Sequence, residues 1–161
     1  MPRTREAGEP FGADIDLPRA NRPGRLILGR FGAVVRLSAF TVLDAYPSGA
    51  DPARDRYRDA IELARSCEAS GLSAIWVAEH HFHSGGLCPA PPILLAAMGR
   101  ETERIRLGVM VSVLPFHEPV DLAEQYALLD RLVGGRLNLG VGSGYIPMEF
   151  DGFGVDPATK R

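Results

Sequence analysis

Short apolar segments alternate with longer amphipathic ones along this chain, and that alternation limits the folds open to it. Ala33 to Leu43 is strand-like, with Leu37, Ala39 and Thr41 on alternate positions. Asp51 and Pro52 open a helix: a carboxylate to cap free amides, then a proline whose missing N–H is harmless in the first turn. Tyr57, Ala60, Ile61, Ala64 and Cys67 follow at helical spacing, and Ser70-Gly71 ends the run. A second strand begins at Ala74. Pro91-Pro92 opens a second helix, with Ile93, Leu94, Ala97 and Met98 along one side, that breaks between Gly99 and Glu103. Ile105, Leu107, Val109, Val111 and Val113 alternate as a third strand, which Pro115 stops. Pro119 opens a third helix through Leu122, Tyr126, Leu129 and Val133, closed by Gly134-Gly135, and Leu137, Leu139 and Val141 form a fourth strand. Strands separated by single helices imply right-handed crossovers and a parallel sheet. The fold class is therefore α/β, as a doubly wound open sheet or as an arc of a (β/α)₈ barrel.

In either architecture the strand C-termini share one face, and that face holds the ligand. The stretch Ala74-Ile75-Trp76-Val77-Ala78-Glu79-His80-His81-Phe82 starts as a buried strand and ends in a carboxylate and two imidazoles. Desolvating such groups costs free energy unless they are paired, so Glu79 and His80 are read as leaving the sheet at a site. All four histidines lie past strand ends: His80, His81 and His83 after the second strand, His117 after the third. Gly142, Ser143, Gly144 and Tyr145 follow the fourth. Arg104, Arg106 and Arg136, at the strand starts, read as solvated or ion-paired ends. The Gly140-x-Gly142-x-Gly144 run lets a phosphate approach bare amides, although it lacks the full dinucleotide fingerprint. His81-x-His83 has the spacing of a metal pair, the basis of an alternative reading as a metal-dependent hydrolase. No serine lies in a nucleophile-elbow pattern.

With 45% hydrophobic and 24% charged residues and a net charge of -2, the 161 residues have the composition of one soluble globular core. The charge balance gives no reason to expect nucleic acid or an anionic membrane as partner. No apolar run reaches the roughly 18 residues of a membrane span, and there is no apolar signal-peptide core. Cys67 and Cys88 make no disulfide framework; they read as small packed hydrophobes in a reducing cytoplasm. Residues 1–30, rich in Pro, Gly, Arg and Asp, are expected to form a mobile arm, with the folded domain over 31–161.

Several strings, in register from about Leu37 to Pro157, together resemble the bacterial luciferase-like family of flavin-dependent monooxygenases. They are Gly71 to Phe82; Arg104 to Gly108 continuing through Val113-Leu114-Pro115; His117-Glu118-Pro119-Val120 with Leu122 to Gln125; Leu128 to Leu132 with Gly134 to Leu137; Glu149-Phe150; and Phe153 to Asp156. The resemblance implies a TIM-type barrel that binds reduced FMN, or in some branches the deazaflavin F420, and uses dioxygen to oxygenate a small organic substrate. A flavin reductase would supply the reduced cofactor. His80 would be the active-site histidine, exchanging a proton beside the flavin, and Glu79 would orient the site. Met110, Val111 and Ser112 would line the isoalloxazine face; Gly142, Ser143 and Gly144 would lie near the flavin tail, with no metal. Ser143 stands where many members carry an arginine that helps hold the cofactor phosphate; serine donates a hydrogen bond but brings no charge. A complete barrel takes about 250 residues. The expectation is therefore a partial TIM barrel of about four strands and three helices, an incomplete domain whose open edges favour homo-oligomers or aggregation. A non-catalytic flavin-binding or subunit-pairing half-barrel is the alternative.

Overall fold

The computed structural model describes residues 26–28, 33–45 and 52–159. Its centre is a four-stranded sheet in which β3 (Ser38–Thr41), β4 (Ala74–Val77), β5 (Arg106–Val113) and β6 (Leu137–Gly142) lie side by side in chain order, every pair parallel. Three helices make the crossovers: α1 (Pro52–Ala69), α2 (Pro91–Arg100) and α3 (Pro119–Leu132). A doubly wound sheet reverses its strand order at a switch point. Here the order never reverses, so successive right-handed crossovers stack their helices on one side, as in an arc of a barrel. No helix among the described residues is long and apolar enough to cross a membrane.

The strand expected over Ala33 to Leu43 is divided. β1 (Leu26–Leu28) and β2 (Ala33–Val35) form a separate antiparallel pair, and only β3 enters the main sheet. The cause is the length of the neighbour: β4 has four residues, so four of β3 find parallel partners, from Ser38 beside Ala74 to Thr41 beside Val77. Of the arm expected over residues 1–30, Leu26–Leu28 is this strand; residues 1–25, 29 and 30 lie outside the described residues, as does Asp51. α2 ends at Arg100, within the Gly99 to Glu103 stretch where the break was expected. After β6 comes α4 (Pro147–Phe153), a short helix that hydrophobic periodicity did not announce.

The core fills the layer between sheet and helices. Ile75, Val77, Leu107 and Val109 point outward from the strands onto Ala60, Ala64, Leu95, Met98, Leu122 and Leu129. Cys67 and Cys88 are buried and free, and burial pushes the Cys88 thiol up to about 12, which leaves it unreactive. The strand starts are tied by polar contacts that serve stability. The Glu68 carboxylate accepts the N–H groups of Glu103, Arg104 and Ile105, joining α1 to the approach to β5. The Arg136 guanidinium donates to the carbonyls of Gly99, Thr102, Ile105 and Val133.

On the opposite side of the sheet, Gly108 of β5 lies beside Trp76 of β4. A Cβ on residue 108 would overlap the indole ring. Gly108→Ala is therefore expected to destabilise the chain by about 1–3 kcal/mol through displacement of Trp76. Urea unfolding followed by the fluorescence of this lone tryptophan measures it; a midpoint equal to that of the unsubstituted chain would show that the inner face has room to spare.

Candidate functional site

Beyond Val77 the chain leaves β4 and delivers Glu79, His80, His81 and His83 in five residues. They do not gather at one point. Phe82 adopts a left-handed backbone, φ 63°, rare for a side chain of that size. This turn lets His81 and His83 serve different partners. The His81 ring packs edge-on against Phe116 and Phe153, and the Phe82 ring packs against Phe153 and covers Gly152. The aromatic cluster docks α4 onto the strand ends, with Phe150 buried behind it. Docking carries Glu149, in the first turn of α4, into the histidine cluster.

Two buried carboxylates then organise the site. Glu79 Oε2 accepts from the Ser112 hydroxyl at 2.9 Å and the Val113 N–H at 3.1 Å. Its Oε1 lies 3.0 Å from His81 Nε2 and 2.7 Å from His117 Nε2. Burial pushes the Glu79 carboxyl up. The hydrogen bonds from His81 and His117, the charge of His117 and the Val113 amide outweigh that and hold it below the usual carboxylate range. Glu149 uses a single oxygen: Oε1 accepts the His81 backbone N–H at 2.9 Å and lies 3.0 Å from His80 Nδ1 and 3.3 Å from His83 Nε2. Both glutamates are only 2% exposed. Each carboxylate is thus bracketed by two imidazoles, the arrangement that lets buried charge persist.

A cavity of about 390 Å³ opens beside this network at the strand C-termini. Its wall includes Phe40, Glu79, His80, Met110, Val111, Gly142, Ser143, Gly144 and Glu149. Of the residues read from the sequence as candidates, the fold brings Glu79, His80, Met110, Val111 and the Gly142–Ser143–Gly144 turn to this one space. Ser112 is not on the wall: it is fully buried, and its hydroxyl is bonded to Glu79. The displacement follows from the β5–β6 ladder, which shifts register between Val109 and Ser112 and so interrupts the side-chain alternation. His81 and His83, considered as a metal pair, are bonded to different carboxylates. Among the described residues, the grouping with metal-ligand chemistry is instead His80, His83 and Glu149, whose donor atoms lie within 4.8 Å of one another. Glu149 escaped the reading of the sequence as a site residue. The available signal was Pro147 at a helix start with an acidic residue in the turn that follows, just past the glycine-rich strand end.

The sequence profile of the luciferase-like monooxygenases matches residues 35–161. The chain is 41% identical over 116 residues to 4-hydroxyprotoasukamycin monooxygenase of Streptomyces nodosus subsp. asukaensis, covering 72% of this chain and 31% of that protein. It is 34% identical over 95 residues to the oxygenase component of the flavin-dependent trigonelline monooxygenase of Acinetobacter baylyi, covering 59% and 26%. Among solved structures, it superposes with a TM-score of 0.69 on the oxygenating constituent of 3,6-diketocamphane monooxygenase from Pseudomonas putida, determined in complex with FMN. That match is 25% identical and covers 77% of this chain and 34% of the other. The chain thus spans about a third of the length of these relatives.

Glu79→Gln would set an amide NH2 against one of its two donor pairs, either Ser112 and Val113 or the two imidazoles, and remove the charge. It is expected to cost about 3 kcal/mol at neutral pH. The folded-state pKa of Glu79 is lowered, so its contribution is complete above the unfolded value of about 4.3 and is lost as pH falls through the folded value. Urea titrations of both proteins should converge on acidification. A gap independent of pH would mean that the Glu79 charge contributes nothing.

Proposed function

The chain belongs to the luciferase-like monooxygenase family, and on that premise we propose that it forms one side of a site where reduced flavin and dioxygen oxygenate a small organic substrate. The observation that carries the reading is convergence: His80, from the end of β4, and the Gly142–Gly144 turn, from the end of β6, share one cavity with the apolar wall of Met110 and Val111. The residues present fit a flavin. Phe40, Met110 and Val111 offer a surface that a planar, mostly apolar ring system can cover. Gly142 and Gly144 carry no side chain to obstruct a ribityl tail. FMN is the favoured form, supported by the FMN complex of the camphane enzyme. When bound, the reduced flavin supplies the electrons and activates dioxygen.

The part of the protein is binding, orientation and proton handling. Met110 and Val111 hold the ring and exclude water from one of its faces. His80 is placed to take up or return a proton at the cavity. Its Nδ1 is held by Glu149, and its Nε2 has no partner among the described residues. Glu79, on the same wall, fixes His81 and His117 and, through Ser112 and Val113, the end of β5. A separate reductase would deliver the reduced flavin, a reading supported by the relative described as the oxygenase component of its enzyme.

Anaerobic titration of the chain with reduced FMN, read by flavin fluorescence, is the test. One saturable site is expected. Val111→Asp should weaken it at least tenfold by placing a charge on the ring surface, whereas His80→Gln should leave affinity within about threefold. No saturable binding, or binding indifferent to Val111→Asp, would remove the proposal. A preference for F420 would reassign the cofactor.

A further inference from the structure

The hydrogen bonds around Glu149 have a direction, and it begins at a backbone amide. The Gly85 N–H donates to His83 Nδ1 at 3.1 Å. A nitrogen that accepts carries no proton, so the single proton of this imidazole sits on Nε2. His83 Nε2 faces Glu149 Oε1 and therefore donates to it. Glu149 Oε1 also receives the His81 N–H, so it is an acceptor throughout. The nitrogen of His80 turned toward the same oxygen, Nδ1, must then be a donor. One position is left. In the neutral ring His80 Nε2 bears a lone pair, on a side chain that lines the cavity.

The geometry points to His83 as a positioning residue: by donating from Nε2 it pins the Glu149 carboxylate, and through it holds His80 in the tautomer that presents an acceptor to the cavity. This rests on the proposed function only in giving that acceptor a reaction to serve; the tautomer itself stands on the hydrogen bonds. Polarity of this kind decides whether a histidine works as base or acid at the outset, and a histidine held in the wrong tautomer loses that capacity even with its position intact. Glu149 Oε1 receives three donors, more than its two in-plane lone pairs accommodate directly, so the loss of one changes how the carboxylate sits. His83 is suited to the task by its place. It follows the left-handed turn at Phe82, only two residues before the amide that fixes its own proton.

The His83 tautomer separates this cluster from a metal centre. A divalent ion held by His80, His83 and Glu149 would need the His83 Nε2 lone pair, and its Nδ1 would then carry a proton facing the Gly85 N–H. The two arrangements exclude each other.

Long-range 1H–15N correlation of the imidazoles in the 161-residue chain, at mildly alkaline pH, reads the tautomers directly. The expected result is a proton on Nε2 of His83 and on Nδ1 of His80. His83→Ala should turn His80 into a mixture of tautomers, and His83→Gln, which keeps an N–H near the same place, should restore the single form. Flavin affinity should stay within about threefold in both variants, because His83 is not on the cavity wall. A His83 proton on Nδ1, a His80 tautomer indifferent to His83→Ala, or one-to-one Zn²⁺ binding abolished by His83→Ala would each overturn the inference. Reduced FMN added to the same sample separates the two claims: absence of any response at His80 counts against the flavin reading and leaves the tautomer result standing.

Discussion

Two carboxylates sit almost fully out of water at the C-terminal rim of this sheet, and the rest of the site is the arrangement that makes their burial tolerable. An isolated buried carboxylate would neutralise or unfold its surroundings. Here each one collects donors from several elements. Glu79, on the loop after β4, gathers Ser112 and Val113 from β5 and His117 from the turn beyond it. Glu149, on α4, gathers three groups from the loop after β4. The contacts bridge residues 33 to 69 positions apart in the chain. Polar satisfaction at this rim is thus also what joins the end of β4 to its neighbours.

The two rims of the sheet divide the labour. At the strand starts, Arg136 and Glu68 spend their hydrogen bonds on backbone groups of the turns, contacts that fix the chain and leave nothing free to react. At the strand ends the acceptors are side chains, imidazoles join backbone amides as donors, and His80 keeps a nitrogen to spare. This is the polarity that parallel α/β architectures impose, where conservation of shape belongs to one end and chemistry to the other.

The parallel sheet and its order were legible in the sequence because each strand and helix carries its own period, and the capping prolines and glycines punctuate them. The rim was legible for the same reason: once the strands are parallel, residues after each strand must meet. What sits on the rim was harder to read. Alternation placed Val109, Val111 and Val113 on one face, but the shift between Val109 and Ser112 breaks the alternation, sending Val111 to the cavity and Ser112 behind it. A pairing irregularity of this kind depends on the neighbouring strand, which no local pattern encodes. Glu149 was hidden differently. Seven residues are too few to show a helical period, and the docking of α4 depends on aromatic contacts with Phe82 and Phe116 across the fold.

Glu79 and Glu149 have similar chemistry, two imidazoles to one carboxylate, yet their surroundings give them different duties. The His81 ring is walled in by Phe116 and Phe153, and both Glu79 oxygens are consumed by β5 and its following turn. That pair can hold, but the His81 ring does not line the cavity. Around Glu149 the carboxylate spends one oxygen on three donors, and His80, 12% exposed, looks into the cavity with its other nitrogen unclaimed. An imidazole whose one nitrogen is fixed by a carboxylate and whose other meets open space is arranged to transfer a proton, whereas one locked at the ring edge by phenylalanines is arranged to stay still. Adjacent histidines, His80 and His81, therefore part company because Ala78 to Phe82 leaves the sheet between two carboxylates and hands one ring to each.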